Sequence, residues 1–333
     1  MDPKSLLAAA GFVPGQLVFP DAWCGHLPFA AWLMQQLRPS CFVELGTHTG
    51  NSYLTFCQAA AAGGGTRCFA VDTWRGDEHA GFYGEEVFEQ LRAQHDSRYG
   101  GFSSLLRATF DEAVSRFEDR SIGLLHIDGL HTYAAVAHDF ATWRPKLAPG
   151  ALVLLHDTQV REAGFGVWKL WEELSAQYPL HLEFKQSFGL GILQTADGTP
   201  LDWLQPATPE QAQVEHYFTA LGLAMMERYR AEEQAALVAL LRAELERYHA
   251  STLRQDATIA AQNAALEDCG ARLSGQQQKM TADAERLAAQ QRALEQLRAE
   301  CDEAHVRIAA LLQSKSWRLT APLRFLGRGV RGS

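Results

Sequence analysis

The sequence predicts an α/β fold with a mostly parallel sheet, followed by one long helix. Three observations predict it. Between about residues 41 and 193, short apolar runs alternate with amphipathic stretches, the pattern of repeated strand–helix units. One such unit, Cys41-Phe-Val-Glu44-Leu-Gly46-Thr47-His-Thr-Gly50-Asn-Ser52, reads as a buried strand, a two-glycine turn and a helix start. Such a turn lets backbone approach a ligand closely and presents the free N–H groups of a helix N-terminus. Beyond residue 206 the composition shifts to Ala, Gln, Glu, Leu and Arg, with an apolar residue at almost every seventh position. That period predicts a long helix or coiled coil.

Taken in order, the apolar runs place strands at 41–45, 68–72, 104–107, 122–127, 151–155, 181–186 and 189–193. Helices fit 51–61, 84–94, 110–118, 132–144 and 164–177, and another around Pro28–Leu37 precedes the first strand. About three residues separate the last two strands, enough for a hairpin but not for a crossover. Five parallel strands closed by an antiparallel hairpin are therefore expected. Four regions follow: an N-terminal lid segment (1–40), the α/β domain (41–200), the helix (206–312) and a tail (313–333).

The 333 residues exceed one ordinary domain, and a hydrophobic content of 47% suffices for a real core. No apolar run approaches the length of a membrane span, and no signal peptide is evident near Met1. The six cysteines (Cys24, Cys41, Cys57, Cys68, Cys269 and Cys301) form no Cys-x-x-Cys motif. Buried thiols and a cytoplasmic, reducing location are expected from them. A net charge of −9 argues against a nucleic-acid partner.

In the helix, one column of the heptad runs through Leu245, Thr252, Ile259, Leu266, Leu273, Met280, Leu287, Leu294, Cys301 and Ile308. Its companion column (Tyr248, Gln255, Gln262, Cys269, Gln276, Asp283, Gln290, Leu297, Ala304, Leu311) is more polar. Gly270 and Gly275 each cost about 1 kcal/mol within a helix. A parallel homo-oligomer, most simply a dimer, is expected, a single solvated or folded-back helix being the alternative. The tail sets Trp317, Leu319, Leu323, Phe325 and Leu326 beside Arg318, Arg324 and Arg328, with no acidic residue after Asp302 and Glu303. That composition suits peripheral contact with an anionic membrane surface, such as the inner face of a cytoplasmic membrane.

The Glu-x-Gly-x-x-x-Gly fingerprint is not the Gly-x-Gly-x-x-Gly of dinucleotide folds. It resembles the first motif of class I S-adenosylmethionine-dependent methyltransferases, whose Rossmann-like sheet has the strand arrangement expected here. The resemblance covers roughly residues 10–195. It implies that Glu44 meets the cofactor's ammonium, that Gly46 and Gly50 give close approach, and that Thr47 and Ser52 contact its carboxylate end. Asp72 ends the second strand, 26 residues after Gly46, where a carboxylate accepts both ribose hydroxyls. Thr73 and Trp74 would cover the ligand.

Two further segments, Asp128-Gly-Leu-His131-Thr-Tyr133 and His156-Asp157, follow the fourth and fifth strands. They closely resemble a branch of O-methyltransferases acting on sugars and other hydroxylated natural products. That likeness implies Asp128 and Asp157 as ligands of Mg²⁺ or Mn²⁺ and His131 as general base. His156 stands where metal-using members have an acid, and imidazole is a poorer ligand for Mg²⁺ than for Mn²⁺. His26, in the segment Trp23-Cys-Gly-His26-Leu-Pro28, is a candidate for acceptor binding. The Ser-x-Ser-Trp317-Arg-x-Thr-x-Pro-Leu323 ending is similar to those of bacterial multi-domain proteins of surface-polysaccharide assembly. The implied function is O-methyl transfer to a hydroxyl of a sugar, glycan or glycolipid precursor. The competing readings are a non-catalytic cofactor-binding organiser and an NAD-dependent oxidoreductase. The latter is disfavoured by the missing Gly-x-Gly turn.

Overall fold

The computed structural model describes residues 3–18, 22–77, 79 and 81–320. Two helices open the chain, α1 (Pro3–Ala10) and α2 (Leu27–Leu37), followed by β1 (Cys41–Leu45), α3 (Asn51–Gly63) and β2 (Arg67–Asp72). A small hairpin, β3 (Gly76–Asp77) and β4 (Gly81–Phe82), precedes α4 (Glu85–Tyr99), β5 (Ser103–Arg107) and α5 (Phe110–Ala113). Then come β6 (Ile122–Ile127), α6 (Tyr133–Trp143), β7 (Leu147–His156), α7 (Val167–Gln177), β8 (His181–Phe184) and β9 (Leu190–Gln194). The 105-residue α8 (Pro209–Gln313) and the short α9 (Lys315–Leu319) complete it.

Seven strands form one sheet in the order β5-β2-β1-β6-β7-β9-β8. The first five of these are mutually parallel, while β9 runs antiparallel to both β7 and β8. This is the expected Rossmann-like sheet closed by an antiparallel hairpin. The chain leaves β1 towards β2 on one side and returns to β6 on the other. Ligands of open parallel sheets bind at such a reversal, outside the carboxyl ends of the strands.

Strand side chains alternate between faces. Phe42, Leu124, Leu152 and Leu154 bury against α2, α3 and the start of α8. Val43, Leu125, Val153 and Leu155 bury against α6 and α7 on the opposite face. Helix α2 lies within the segment expected to act as a lid, yet it packs into the core. Leu27, Phe29, Ala30, Trp32 and Leu33 are almost fully buried, so α2 is a layer of the core. The α1 helix and the β3–β4 hairpin had no expectation in the sequence, and the helix expected at 110–118 shrinks to α5 and one 3₁₀ turn.

The compact units are Met1–Ala239 and Leu240–Ser333, so the core does not close near residue 205. Val214, Phe218, Met225 and Tyr229 form a buried stripe on the first turns of α8. The Phe218 ring lies 5.4 Å from that of Phe29 and 5.0 Å from that of Trp32. Gly222 sits in the same stripe because the Gly25 carbonyl occupies the space a Cβ would need. The helical spacing of that stripe makes these turns part of the domain. Beyond Leu240 the heptad residues are exposed. The expected tail residues Leu323, Arg324, Phe325, Leu326 and Arg328 lie outside the described residues. No helix among the described residues is long and apolar enough to cross a membrane.

Candidate active site

The turn after β1 starts with Gly46, at φ +84°. A Cβ there would run into the Asp128 carbonyl oxygen. Glycine is therefore required by the close passage of the β6–α6 connection, whose Asp128 N–H donates to the Leu45 carbonyl at 2.8 Å. Gly50 also has positive φ, at +85°, and a side chain there would meet Leu91 of α4. Both glycines are set by packing of the turn, and only Gly46 reaches the cavity described next.

A cavity of about 470 Å³ lies over the carboxyl ends of β1, β2, β5 and β6. That is ample for a small ligand. Gly46, Asp72, Thr73, Asp128 and His131, which the sequence offered as candidate cofactor and reaction groups, line it. It is also lined by His48, Asp77, Tyr83 and Phe110, for which the sequence raised no expectation, and by Asp139, which the sequence places on the following helix as a packing or pairing residue. Asp77 and Tyr83 come from the β3–β4 hairpin region, whose two-residue strands are too short to give a periodic signal. Thr109, at the cavity edge, caps α5 reciprocally with Glu112, a spacing that was legible. Burial pushes the Asp139 carboxyl up to about 6.

Asp72 is built into the turn. One carboxylate oxygen accepts the N–H groups of Thr47 (2.8 Å) and His48 (3.0 Å), and the other accepts that of Trp74 (2.7 Å). A carboxylate offers about four lone-pair sites, so one remains for an incoming donor. Thr47, Ser52 and Trp74, expected at the ligand, line other surroundings. The Trp74 indole is buried against Phe88, and its N–H donates to the His48 carbonyl at 3.0 Å.

Glu44 is the largest departure from expectation. It is fully buried, away from the cavity, with a carboxylate oxygen 2.8 Å from His126 Nδ1. Glu44 and His126 are direct cross-strand partners of β1 and β6 and point to the same face. Burial raises the Glu44 pKa despite that partner. His126 Nε2 then lies 4.0 Å from Asp128 Oδ2.

Two carboxylates and two imidazoles converge at the ends of β6 and β7. His131 Nε2 lies 2.8 Å from Asp157 Oδ2 and 3.7 Å from Asp128 Oδ1. His156 Nδ1 lies 3.3 Å from Asp128 Oδ1 and 3.5 Å from Asp157 Oδ2. Burial works against a charge on His131, but the two carboxylates outweigh it and push its pKa up to about 9. Burial also opposes the charge on Asp157, yet His156 and His131 bring it down to about 2. Asp128 is held below its ordinary range against the same burial, by His156 and His131.

Among the described residues, Asp128, His131 and Asp157 have ligand atoms within 4.8 Å of one another, the spacing of a metal site. The expected set had His156 in place of His131. His156 Nε2 instead bonds the Ser187 carbonyl at 3.0 Å, which leaves its Nδ1 facing both carboxylates. Mixed carboxylate and imidazole donors suit Mn²⁺ better than Mg²⁺. His26, expected at the acceptor, is fully buried, and its Nε2 also meets the Ser187 carbonyl, at 3.2 Å. Burial and the nearby His156 push its pKa down to about 3, so it stays neutral. It supports the 187 turn from behind and does not line the cavity.

Residues 43–158 match the family model described as a methyltransferase domain. A curated relative, protein y4gI of Sinorhizobium fredii (strain NBRC 101917 / NGR234), is 57% identical over 174 residues. That match takes in 52% of this chain, and the chain spans 19% of the relative's length. Among solved structures, a methyltransferase from Geobacter sulfurreducens is 18% identical, with a TM-score of 0.41, over 59% of this chain and 89% of that one. The O-methyltransferase TomG of Streptomyces achromogenes, involved in tomaymycin synthesis and solved with S-adenosylmethionine, is 12% identical, with a TM-score of 0.40. It matches over 59% of this chain and 91% of its own. Residues 43–158 are thus similar to a methyltransferase domain.

Proposed function

We propose that the chain is an S-adenosylmethionine-dependent O-methyltransferase whose acceptor is a hydroxyl of a sugar, glycan or glycolipid precursor. The observation that carries the reading is one cavity that joins Asp72, an acid with one lone pair to spare, to the Asp128–His131–Asp157 cluster. S-adenosylmethionine supplies an activated methyl group, so the protein's tasks are alignment and proton removal. Asp72 accepts one hydroxyl of the ribose diol. His131 takes the acceptor's proton, and Asp128 and Asp157 orient its ring. In the cation-free site the two aspartates keep His131 protonated at neutral pH. A divalent cation held by Asp128 and Asp157 would offset their charge and leave the imidazole free to accept a proton. The acceptor class rests on the likeness of the chain's ending to polysaccharide-assembly proteins, and the basic, aromatic composition of the tail supports peripheral contact with the cytoplasmic face of a membrane.

Isothermal titration tests the cofactor. Asp72→Ala should weaken S-adenosylmethionine binding by about 1–3 kcal/mol, the cost of losing a hydrogen bond to a charged group. Wild-type protein without affinity at millimolar cofactor would end the reading. The cation is tested separately: Mn²⁺ should bind wild type and fail to bind Asp128→Asn. Unchanged methyl transfer after exhaustive EDTA treatment would remove the metal from the scheme.

A further inference from the structure

The helix beyond Leu240 carries an apolar column that nothing among the described residues covers. Leu266 is 70% exposed and Met280 73%, and the other leucines and isoleucines of the same register are about half exposed or more. The helix runs unbroken through Gly270 and Gly275. A strict seven-residue repeat drifts by about 20° per heptad on a straight α-helix. From Leu245 to Ile308 the drift amounts to about half a turn. The column therefore forms a single face only where the helix supercoils around a partner.

We infer that this segment pairs with the same segment of a second copy of the chain, parallel and in register. Cys269 and Cys301 then each face their own counterpart across the seam. Three observations carry this. A fully buried Leu, Ile or Met removes about 60–120 Å² from water, and the column holds eight such residues per chain. Two copies would bury roughly 1,000–1,900 Å², which overlaps the about 1,200–2,000 Å² of a stable interface.

The second observation is the composition of the two columns. In a parallel, in-register pair each column faces itself. Leucine layers then alternate with layers in which Gln255, Gln262, Gln276 and Gln290 meet their own copies and can exchange amide hydrogen bonds. An antiparallel pair would set those glutamines against leucines and leave the amides without partners. Third, the flanking positions fit: Glu244 approaches His249 of the copy, Glu300 approaches His305, and no flanking pair joins like charges. The one unfavourable layer is Asp283 against itself.

The reduced full-length protein should have a dimeric mass by light scattering at micromolar concentration. A monomer, or any other mass, overturns the inference. Diamide then reads the register: it takes two electrons and two protons as two facing thiols join in a disulfide. Cys24, Cys41, Cys57 and Cys68 are buried, whereas Cys269 and Cys301 are exposed. Peptide mapping should therefore give Cys301–Cys301 and Cys269–Cys269 links between copies. Links between Cys269 and Cys301, or no links, would overturn the parallel register. Cys269→Ser and Cys301→Ser should each keep the remaining homotypic link. Replacing Leu273 and Met280 together by Glu should weaken dimerisation at least tenfold while the α/β unit melts as before. Undiminished dimerisation of that variant would show that the seam is not the interface.

Discussion

The α/β unit and the helix beyond Leu240 have comparable appetites for apolar residues, yet they treat them oppositely. In the first, Phe42, Val43, Leu124 and Leu154 are completely buried between a sheet and its helices. In the second, Leu245, Leu273 and Leu287 stand in water. Both lie within one chain, and α8 runs through the change. Its first turns show where a helix ceases to belong to a core: Val214 and Phe218 are buried, whereas Leu237 and Leu240 are exposed. The period separates the two kinds of stripe: one near 3.6 residues packs into a globular core, and one held strictly at 3.5 residues calls for a supercoiling helix.

The sharpest break in that comparison is truncation. A chain ending after Ala239 keeps the whole buried stripe and should melt cooperatively. A chain ending after Leu204 lacks Val214, Phe218, Met225 and Tyr229 and should fail to fold. Phe218→Ala alone should cost about 3–5 kcal/mol, the range for removing a buried phenylalanine. A cooperative melt of the shorter chain by circular dichroism would show that α8 is dispensable to the core.

Next in size is the proposed reaction. His131→Ala should lower methyl transfer by about 10²–10⁴-fold with cofactor affinity nearly unchanged, as for loss of a general base. The same substitution should leave the oligomeric mass untouched. A rate within threefold of wild type would assign the proton transfer elsewhere.

A smaller effect follows from the charge cluster. In cation-free protein the pKa of His131 is about 9, against an ordinary 6.5. A raised imidazole binds its proton more tightly in the folded state. Its stabilising contribution is complete below about pH 6.5 and disappears as the pH rises through about 9. His156 is raised by the same carboxylates and acts in the same sense. Urea midpoints in EDTA should therefore fall between pH 6.5 and 9.5, and fall less in His131→Asn. Mn²⁺ competes with the proton, so its affinity should climb over the same interval. An affinity that does not vary with pH would exclude His131 from the cation's surroundings.

The smallest expected change lies in the long helix. Gly270 and Gly275 face open space, so Ala at either position should stabilise the helix by up to about 1 kcal/mol. The α/β unit should not register it. Separate thermal transitions monitored by ellipticity and by tryptophan fluorescence would show whether the two units respond independently.

The sequence by itself determined the sheet and the helix. Largely apolar runs such as 122–127 and 151–155 mark buried parallel strands, because a strand covered on both faces shows little polar side to water. Asp72, Asp128 and Asp157 were legible for a related reason: a charged residue that ends an apolar strand sits at the ligand end of the sheet. Only the tertiary structure decided which way the other polar residues face. Glu44 is in the fingerprint, but the register of β1 against β6 pairs it with His126 and turns it from the cavity. His26 is enclosed by the packing of Trp23 and by the turn around Ser187, and residues far apart in the chain build that enclosure. The cavity wall at Asp77 and Tyr83 comes from a two-residue hairpin with no period to detect. Local pattern reports burial and chain direction. The partner of a buried charge is set by register and by contacts across the sheet, and these exist only once the chain has folded.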